Sequence, residues 1–111
     1  VFMAYDEGLA ERIRDVLANM PEVTENRMFG GLCFMVSGNM CCGIVDEMLM
    51  ARVGAEQYAE CLALPYAREM NYTGKPLKGI VYVDPKGIAE DADLKCWIGR
   101  CLNFTQSLPD K

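Results

Sequence analysis

The sequence predicts an α+β domain whose antiparallel sheet, a three-stranded meander plus a two-strand hairpin, is flanked by three helices. Apolar residues recur at three- and four-residue spacing near both ends of the chain, which indicates amphipathic helices. Between those segments, short apolar runs alternate with turn residues, a pattern typical of strands. A length of 111 residues allows one substantial core but not two.

The first predicted element is a helix over residues 5–20. Asp6 and Glu7 lie in its first turn, where negative charge interacts favourably with the helix dipole. Pro21 marks its end. The apolar stripe of this helix consists of Leu9, Ile13, Val16, Leu17 and Met20.

A meander of three strands follows, predicted over residues 28–36, 39–45 and 48–53. The breaks between them are Ser37-Gly38 and Asp46-Glu47. Gly38 supplies the positive φ that a tight two-residue hairpin turn requires. Gly30 and Gly31, inside the first predicted strand, indicate a bulge or a close approach of another backbone segment.

The second half of the chain predicts a short helix, a hairpin and a long helix. The short helix covers residues 55–64, and Pro65 ends it. The hairpin strands cover residues 69–73 and 78–84, on either side of the turn Gly74-Lys75-Pro76. The last helix is predicted over residues 88–106, with Asp91 as an alternative start. The predicted order is therefore α-β-β-β-α-β-β-α.

Composition narrows the classes of protein. A net charge of -5 disfavours a sequence-independent grip on phosphates, so direct DNA binding is not expected. No apolar run approaches the roughly 18 residues of a membrane span, and the first residues do not resemble a signal peptide. We therefore predict a cytoplasmic protein without membrane contact. Met3 is interpreted as the natural initiator, Val1 and Phe2 as additions to it, and residues 3–109 as one domain.

The six cysteines raise the question of a metal, redox or catalytic site. The chain has no histidine and no C-x-x-C pair, and the adjacent Cys41 and Cys42 should point to opposite faces of a strand. We therefore predict reduced cysteines, no metal and no cofactor. Without histidine, the usual nucleophile–base pairs cannot form, and no catalytic residue is assigned. The protein is predicted not to be an enzyme.

The predicted turn also sets a pairing between the first two strands. It places Cys33 opposite Cys42 and Met35 opposite Met40. Two readings follow, a redox-active pair of Cys33 and Cys42 or plain packing of an apolar, sulfur-rich face. That predicted face is Cys33, Met35, Met40, Cys42 and Ile44.

The opposite face of the meander is apolar as well. It is predicted to contain Leu32, Phe34, Val36, Cys41 and Val45. A sheet covered by helices on one side normally carries polar residues on the other. Either both faces are covered within the domain or one is buried against a partner. The second alternative predicts a homodimer through an apolar sheet face, with two-fold symmetry as the default.

Four segments carry a family resemblance: RMFGGLCFMVSGNM (residues 27–40), LMARVG (49–54), AREMNYTGKPLKGIVYV (67–83) and DLKCWIGRCLNFTQSLP (93–109). In these segments the chain resembles the N-terminal domain of the TfoX/Sxy family, regulators linked to natural competence. The resemblance implies an α+β fold and a non-enzymatic role in regulation through contacts with a protein partner.

The matching motifs also suggest a binding patch. The residues carried over from them are Arg27, Phe29, Gly30, Arg52, Gly74, Lys75 and Lys78. The cations among them could bind a protein partner or, as an alternative function, a small anionic ligand or nucleic acid. Equally, the glycines could be required for backbone conformation, Phe29 could pack in the core, and the cations could simply be solvated.

Overall fold

The fold is described from a computed structural model for residues 5–28, 30–70 and 78–109, without the side chain of Met28. Within these ranges the helices are α1 (Glu7–Val16), α2 (Ala55–Leu62) and α3 (Asp91–Thr105). The strands are β1 (Val23–Met28), β2 (Gly31–Val36), β3 (Asn39–Val45), β4 (Met48–Arg52), β5 (Ala67–Glu69) and β6 (Ile80–Val83).

All six strands form one antiparallel sheet in the order β1-β2-β3-β4-β6-β5. The α+β prediction is therefore confirmed. The predicted division into a meander and a separate hairpin is wrong, because β4 pairs with β6 from Leu49↔Val83 to Arg52↔Ile80 and joins the two parts. The predicted order also lacked β1. The start of α3 at Asp91 is the later of the two predicted starts.

The strand missing from the prediction, β1, lies at one edge of the sheet. Its sequence VTENRM does not alternate apolar and polar residues, and Thr24 to Arg27 are all exposed in the structure. It pairs with β2 from Val23↔Val36 to Met28↔Gly31, so Met28 belongs to β1 and not to the strand predicted over residues 28–36.

The two glycines of the MFGG motif occupy the start of β2 and the reversal before it. Gly30 has a φ of +74°. At Gly31, a Cβ atom would lie 1.8 Å from the carbonyl oxygen of Ile44. The close backbone approach predicted for this pair is therefore confirmed, at Gly31.

The turn between β2 and β3 is the predicted two-residue turn. Ser37 and Gly38 both have positive φ, 51° and 83°, as a type I′ hairpin requires. Next to it, the buried Asn39 donates from Nδ2 to the carbonyl oxygen of Pro109 at 2.8 Å. This bond holds the residues after α3 against the hairpin.

The pairing of β2 with β3 differs from the prediction beyond the first pair. Met35 lies opposite Met40 as predicted, but the register then shifts, and Phe34 lies opposite Cys42. Cys41 is the extra residue of a β-bulge. The predicted pairing of Cys33 with Cys42 is therefore wrong, because the bulge moves Gly43 opposite Cys33.

The bulge also changes which residues share a face. Cys42 and Ile44 pack in the core between the sheet and the three helices, not on the sulfur-rich face as predicted. Val45 lies on the sulfur-rich side instead, against the prediction. That side has its own cluster of buried residues, which consists of Cys33, Met40, Met50 and Met70, with Met35 packed against it.

Both faces of the sheet are covered within one chain. Cys33, Met50 and Met70, on the side away from the helices, are fully buried. This is the first of the two alternatives that the apolar faces allowed. The observation behind the expected homodimer is thereby removed, and the oligomeric state remains a prediction.

Helix α1 is shorter than predicted at both ends. Its first turn is capped by Asp6, whose Oδ1 accepts from the backbone N–H of Leu9 at 3.2 Å. Tyr5, predicted as helical, instead forms an isolated bridge with Asp46.

An ion pair connects α1 to β1. Arg14 donates from Nε to Oε2 of Glu25 at 2.8 Å and from Nη2 to Oε1 of Glu25 at 2.9 Å. The fork holds the pKa of Glu25 below its ordinary value. Both side chains are about one third exposed, so solvent screening limits the contribution to about 0.5 kcal/mol.

We expect Glu25→Gln to lower the free energy of unfolding by about 0.5 kcal/mol at pH 7. Because the pKa of Glu25 is lower in the folded state, its contribution is present above the unfolded-state pKa and lost as pH falls through the folded-state value. Urea unfolding at pH 7 and at pH 3 should therefore show a larger difference from the native chain at pH 7 than at pH 3. Glu22→Gln, an exposed change nearby, is the control and should leave the free energy of unfolding at pH 7 unchanged.

Candidate functional site

Arg27 lies on the edge strand β1, opposite Leu32 of β2. Its side chain is exposed, and its guanidinium carbon lies 6.0 Å from the centre of the Tyr5 ring. Such a distance permits a weak cation–π contact.

Arg52 ends β4 and is better anchored. Its guanidinium lies over the ring of Phe104, 5.2 Å from the ring centre, and donates to the carbonyl oxygen of Met40 at 3.3 Å. These contacts connect the end of β4 to α3 and β3.

Lys78 is exposed in the turn that leads into β6. One residue further, the carbonyl oxygen of Gly79 accepts from the backbone N–H groups of Val53 and Gly54, at 2.8 and 3.0 Å. Lys78 and Arg52 therefore lie at the same end of the sheet. Phe29, Gly74 and Lys75 lie outside the described residues.

The predicted patch is thus brought together only in part. Arg52 and Lys78 are neighbours at one end of the sheet. Arg27 lies three strands away, about 14 Å across the sheet at the usual strand spacing, and in register with Leu49, three residues before Arg52 along β4. Gly30 accompanies Arg27 at the β1–β2 reversal. Whether any of these residues binds a partner or an anion remains a prediction.

A groove lies beside Arg52, between the first turn of α2 and the last turns of α3, and we call it the α2–α3 groove. Its volume is about 540 Å³, within the range of small-molecule sites. It is lined by Val53, Gly54, Ala55, Glu56, Gln57, Arg100, Asn103, Phe104 and Ser107.

The shape of the groove depends on Gly54, the residue before α2. Its φ of 87° and ψ of 159° belong to a region that essentially only glycine adopts. A Cβ atom here would lie 2.4 Å from Cδ1 of Phe104. Gly54 thus lets the aromatic ring lie directly against the backbone at the mouth of α2.

The groove combines an aromatic wall with hydrogen-bonding groups. No side chain caps α2, and the residues of its first turn, 55–57, line the groove. Arg100 contributes a guanidinium that lies over Trp97, 5.7 Å from the ring. Among the described residues, neither Arg52 nor Arg100 has a carboxylate partner at ion-pair distance. Glu56 is the opposing charge in the lining.

Sequence reasoning located one side of this groove and missed the other. The LMARVG motif pointed to Arg52 and ended at Gly54. Phe104 falls within the helix predicted over residues 88–106, and the sequence assigned no binding role to it, to Arg100 or to Asn103. A glycine immediately before a predicted helix was the available signal, but it does not identify which distant residues lie opposite.

The described ranges contain neither a metal-binding cluster nor a membrane-spanning helix. No group of three or more cysteine, aspartate or glutamate side chains there is arranged to hold a metal ion. No helix there is both long and apolar enough to cross a membrane.

Comparison with known proteins identifies the family. A comparison with curated proteins and a comparison with solved structures each found no match. The family model of the TfoX N-terminal domain matches residues 15–105. This range holds the first three quoted motifs and most of the fourth, so the chain belongs to the TfoX N-terminal domain family.

Proposed function

We propose that this domain is a non-enzymatic regulatory module, of the kind found in competence regulators, and that it acts by binding another protein in the α2–α3 groove. Family membership supports the regulatory role. The observation that carries the choice of surface is the groove itself, in which Phe104, Arg100 and the uncapped first turn of α2 line one space of about 540 Å³.

The lining supports a polar, directional contact with an apolar anchor. Phe104 offers an aromatic wall for an apolar side chain, and Asn103 and Ser107 offer hydrogen-bonding groups. Aromatic residues and arginine are the types enriched where proteins bind one another. The face of the sheet away from the helices is less suited to binding a partner, because its central residues are already buried.

A second candidate function is the binding of a small anion in the same groove. The observation that favours it is the convergence of Arg100 with the uncapped N-terminus of α2, where N–H groups and the helix dipole both favour negative charge. This candidate predicts that inorganic phosphate perturbs the amide resonances of residues 55–57, and that the effect weakens steeply with added salt.

Asn103→Tyr tests the groove, because an exposed residue of the lining is replaced by a bulky neutral one. In this test the immobilised native chain captures proteins from a lysate of its source organism. We expect the Asn103→Tyr chain to recover at least tenfold less of these proteins. Quantitative mass spectrometry measures the recovery. Ala92→Tyr is the matched control, an exposed position on the same helix outside the groove, and should capture as the native chain does.

Equal capture by both variants would contradict the assignment of the groove. A second experiment compares two substitutions on α3 that each remove one positive charge. Arg100→Gln removes it inside the groove, and Lys95→Gln removes it outside. A phosphate response lost only in Arg100→Gln would favour the small-anion function over the protein partner.

A further inference from the structure

Three buried cysteines lie together where β3 meets α3, a cluster that the groove and the proposed function do not use. Cys41 and Cys42 belong to β3 and Cys101 to α3, and all three are fully buried. The Cys41 sulfur is within hydrogen-bonding reach of the thiols of both Cys101 and Cys42.

The β-bulge creates this cluster. In a regular strand, Cys41 and Cys42 would point to opposite faces, as the sequence predicted. The bulge at Cys41 instead turns Cys42 toward the helix-side core, where Cys41 also lies, so the prediction that the two point to opposite faces is wrong. Thr105, one turn after Cys101 on α3, also packs against this part of β3.

We propose that Cys41 and Cys101 are an oxidation site, at which a hydroperoxide converts the two thiols into a disulfide that joins β3 to α3. The proposal is independent of the groove. It concerns a different pair from the Cys33 and Cys42 that the sequence suggested, which lie on opposite faces of the sheet.

The surroundings assign different roles to the two sulfurs. Hydrogen bonds from Cys101 and Cys42 favour the thiolate of Cys41 and lower its pKa. The same contacts, together with burial, raise the pKa of Cys42 and of Cys101, which therefore keep their protons. Cys41 is also the one of the three that contacts both other thiols, and since the thiolate is the nucleophile, the first attack is assigned to it.

The reaction balances with the hydroperoxide as the only added reagent. The Cys41 thiolate attacks one peroxide oxygen, the O–O bond breaks, and hydroxide or alkoxide leaves with the proton of the second thiol, so that Cys41 becomes a sulfenic acid. The Cys101 sulfur then attacks the Cys41 sulfur, the S–O bond breaks, and hydroxide leaves as water after protonation. Two thiols are oxidised and one hydroperoxide is reduced.

Geometry favours Cys101 over Cys42 as the second partner. Adjacent residues have Cα atoms about 3.8 Å apart, below the range of about 4.4–6.8 Å that disulfides adopt. Cys101 comes from another element and is free of that constraint. Because both sulfurs are buried, reaction requires local opening of α3 from β3, so the disulfide should form more slowly than oxidation of an exposed thiol.

The test uses the full chain carrying Cys96→Ser, which removes the exposed cysteine of α3 and leaves the cluster untouched. After treatment with hydrogen peroxide, free thiols are alkylated and the chain is digested with trypsin without reductant. We expect residues 28–52 linked to residues 101–111, at a mass lower by two hydrogens, with fragmentation placing the bond at Cys41 and Cys101. Dithiothreitol should release the two peptides.

Two further chains, both also carrying Cys96→Ser, separate this site from unspecific oxidation. Cys33→Ser, a buried cysteine of the other face, should leave the yield of the cross-link within twofold. Cys101→Ser should leave Cys41 as a sulfenic acid that dimedone traps. If the Cys96→Ser chain keeps all its thiols, or forms a bond between any other pair, the proposal is overturned. No core substitution is needed for that result.

Discussion

Replacing Gly31 by alanine should lower the free energy of unfolding by about 3 kcal/mol, whereas replacing its neighbour Gly30 should lower it by only about 1 kcal/mol. A Cβ atom at Gly31 would lie 1.8 Å from the carbonyl oxygen of Ile44, so the backbones of β2 and β3 must separate. At Gly30 nothing lies within 4 Å, and only the φ of +74° resists a side chain.

Urea unfolding followed by circular dichroism measures both values, and the pair of adjacent glycines is its own control. The prediction is that Gly31→Ala destabilises the domain more than Gly30→Ala does, in addition to the size of each loss. Equal losses for the two variants would mean that backbone conformation, and not the approach to Ile44, explains the MFGG motif.

Gly54→Ala is expected to lower the free energy of unfolding by a similar amount, about 3 kcal/mol, for a different pair of reasons. Its backbone conformation is nearly restricted to glycine, which accounts for about 1–3 kcal/mol. The added methyl group also overlaps the ring of Phe104, and overpacking of this kind contributes about 1–3 kcal/mol.

A double-mutant cycle with Phe104→Ala separates the two contributions. Without the ring, the overlap disappears and only the backbone strain remains. Gly54→Ala should then be less destabilising by about 1 kcal/mol or more than in the native background. If the free-energy losses of the two single variants simply add in the double variant, the Phe104 ring moves aside at no cost and the predicted overlap contributes nothing.

The prediction from sequence succeeded where periodicity and turn chemistry were strong. The apolar stripes of α1 and α3, the Ser37-Gly38 turn and the strand over residues 39–45 all depend on local patterns, and each is present. Edge strand β1 was missed because an exposed edge needs no buried face, and its charges resembled a loop.

The candidate sites were less predictable because they depend on distant residues. One bulged residue, Cys41, reverses the facing of its neighbours, and no rule of alternation reveals it. The groove requires Phe104 to lie against Gly54, a contact between residues far apart in the chain. The motif residues were assigned by resemblance, and of the described cations among them only Arg52 and Lys78 lie together.

The two edges of the sheet determine how the domain can meet its surroundings. β1 presents Glu25 and Arg27 to solvent, and β5 at the other edge has only three residues. Charged or very short edge strands resist the addition of a further strand. The sheet is thereby protected against edge-to-edge aggregation and is a poor template for β-augmentation, so recognition of this domain should proceed through side chains of its helical side.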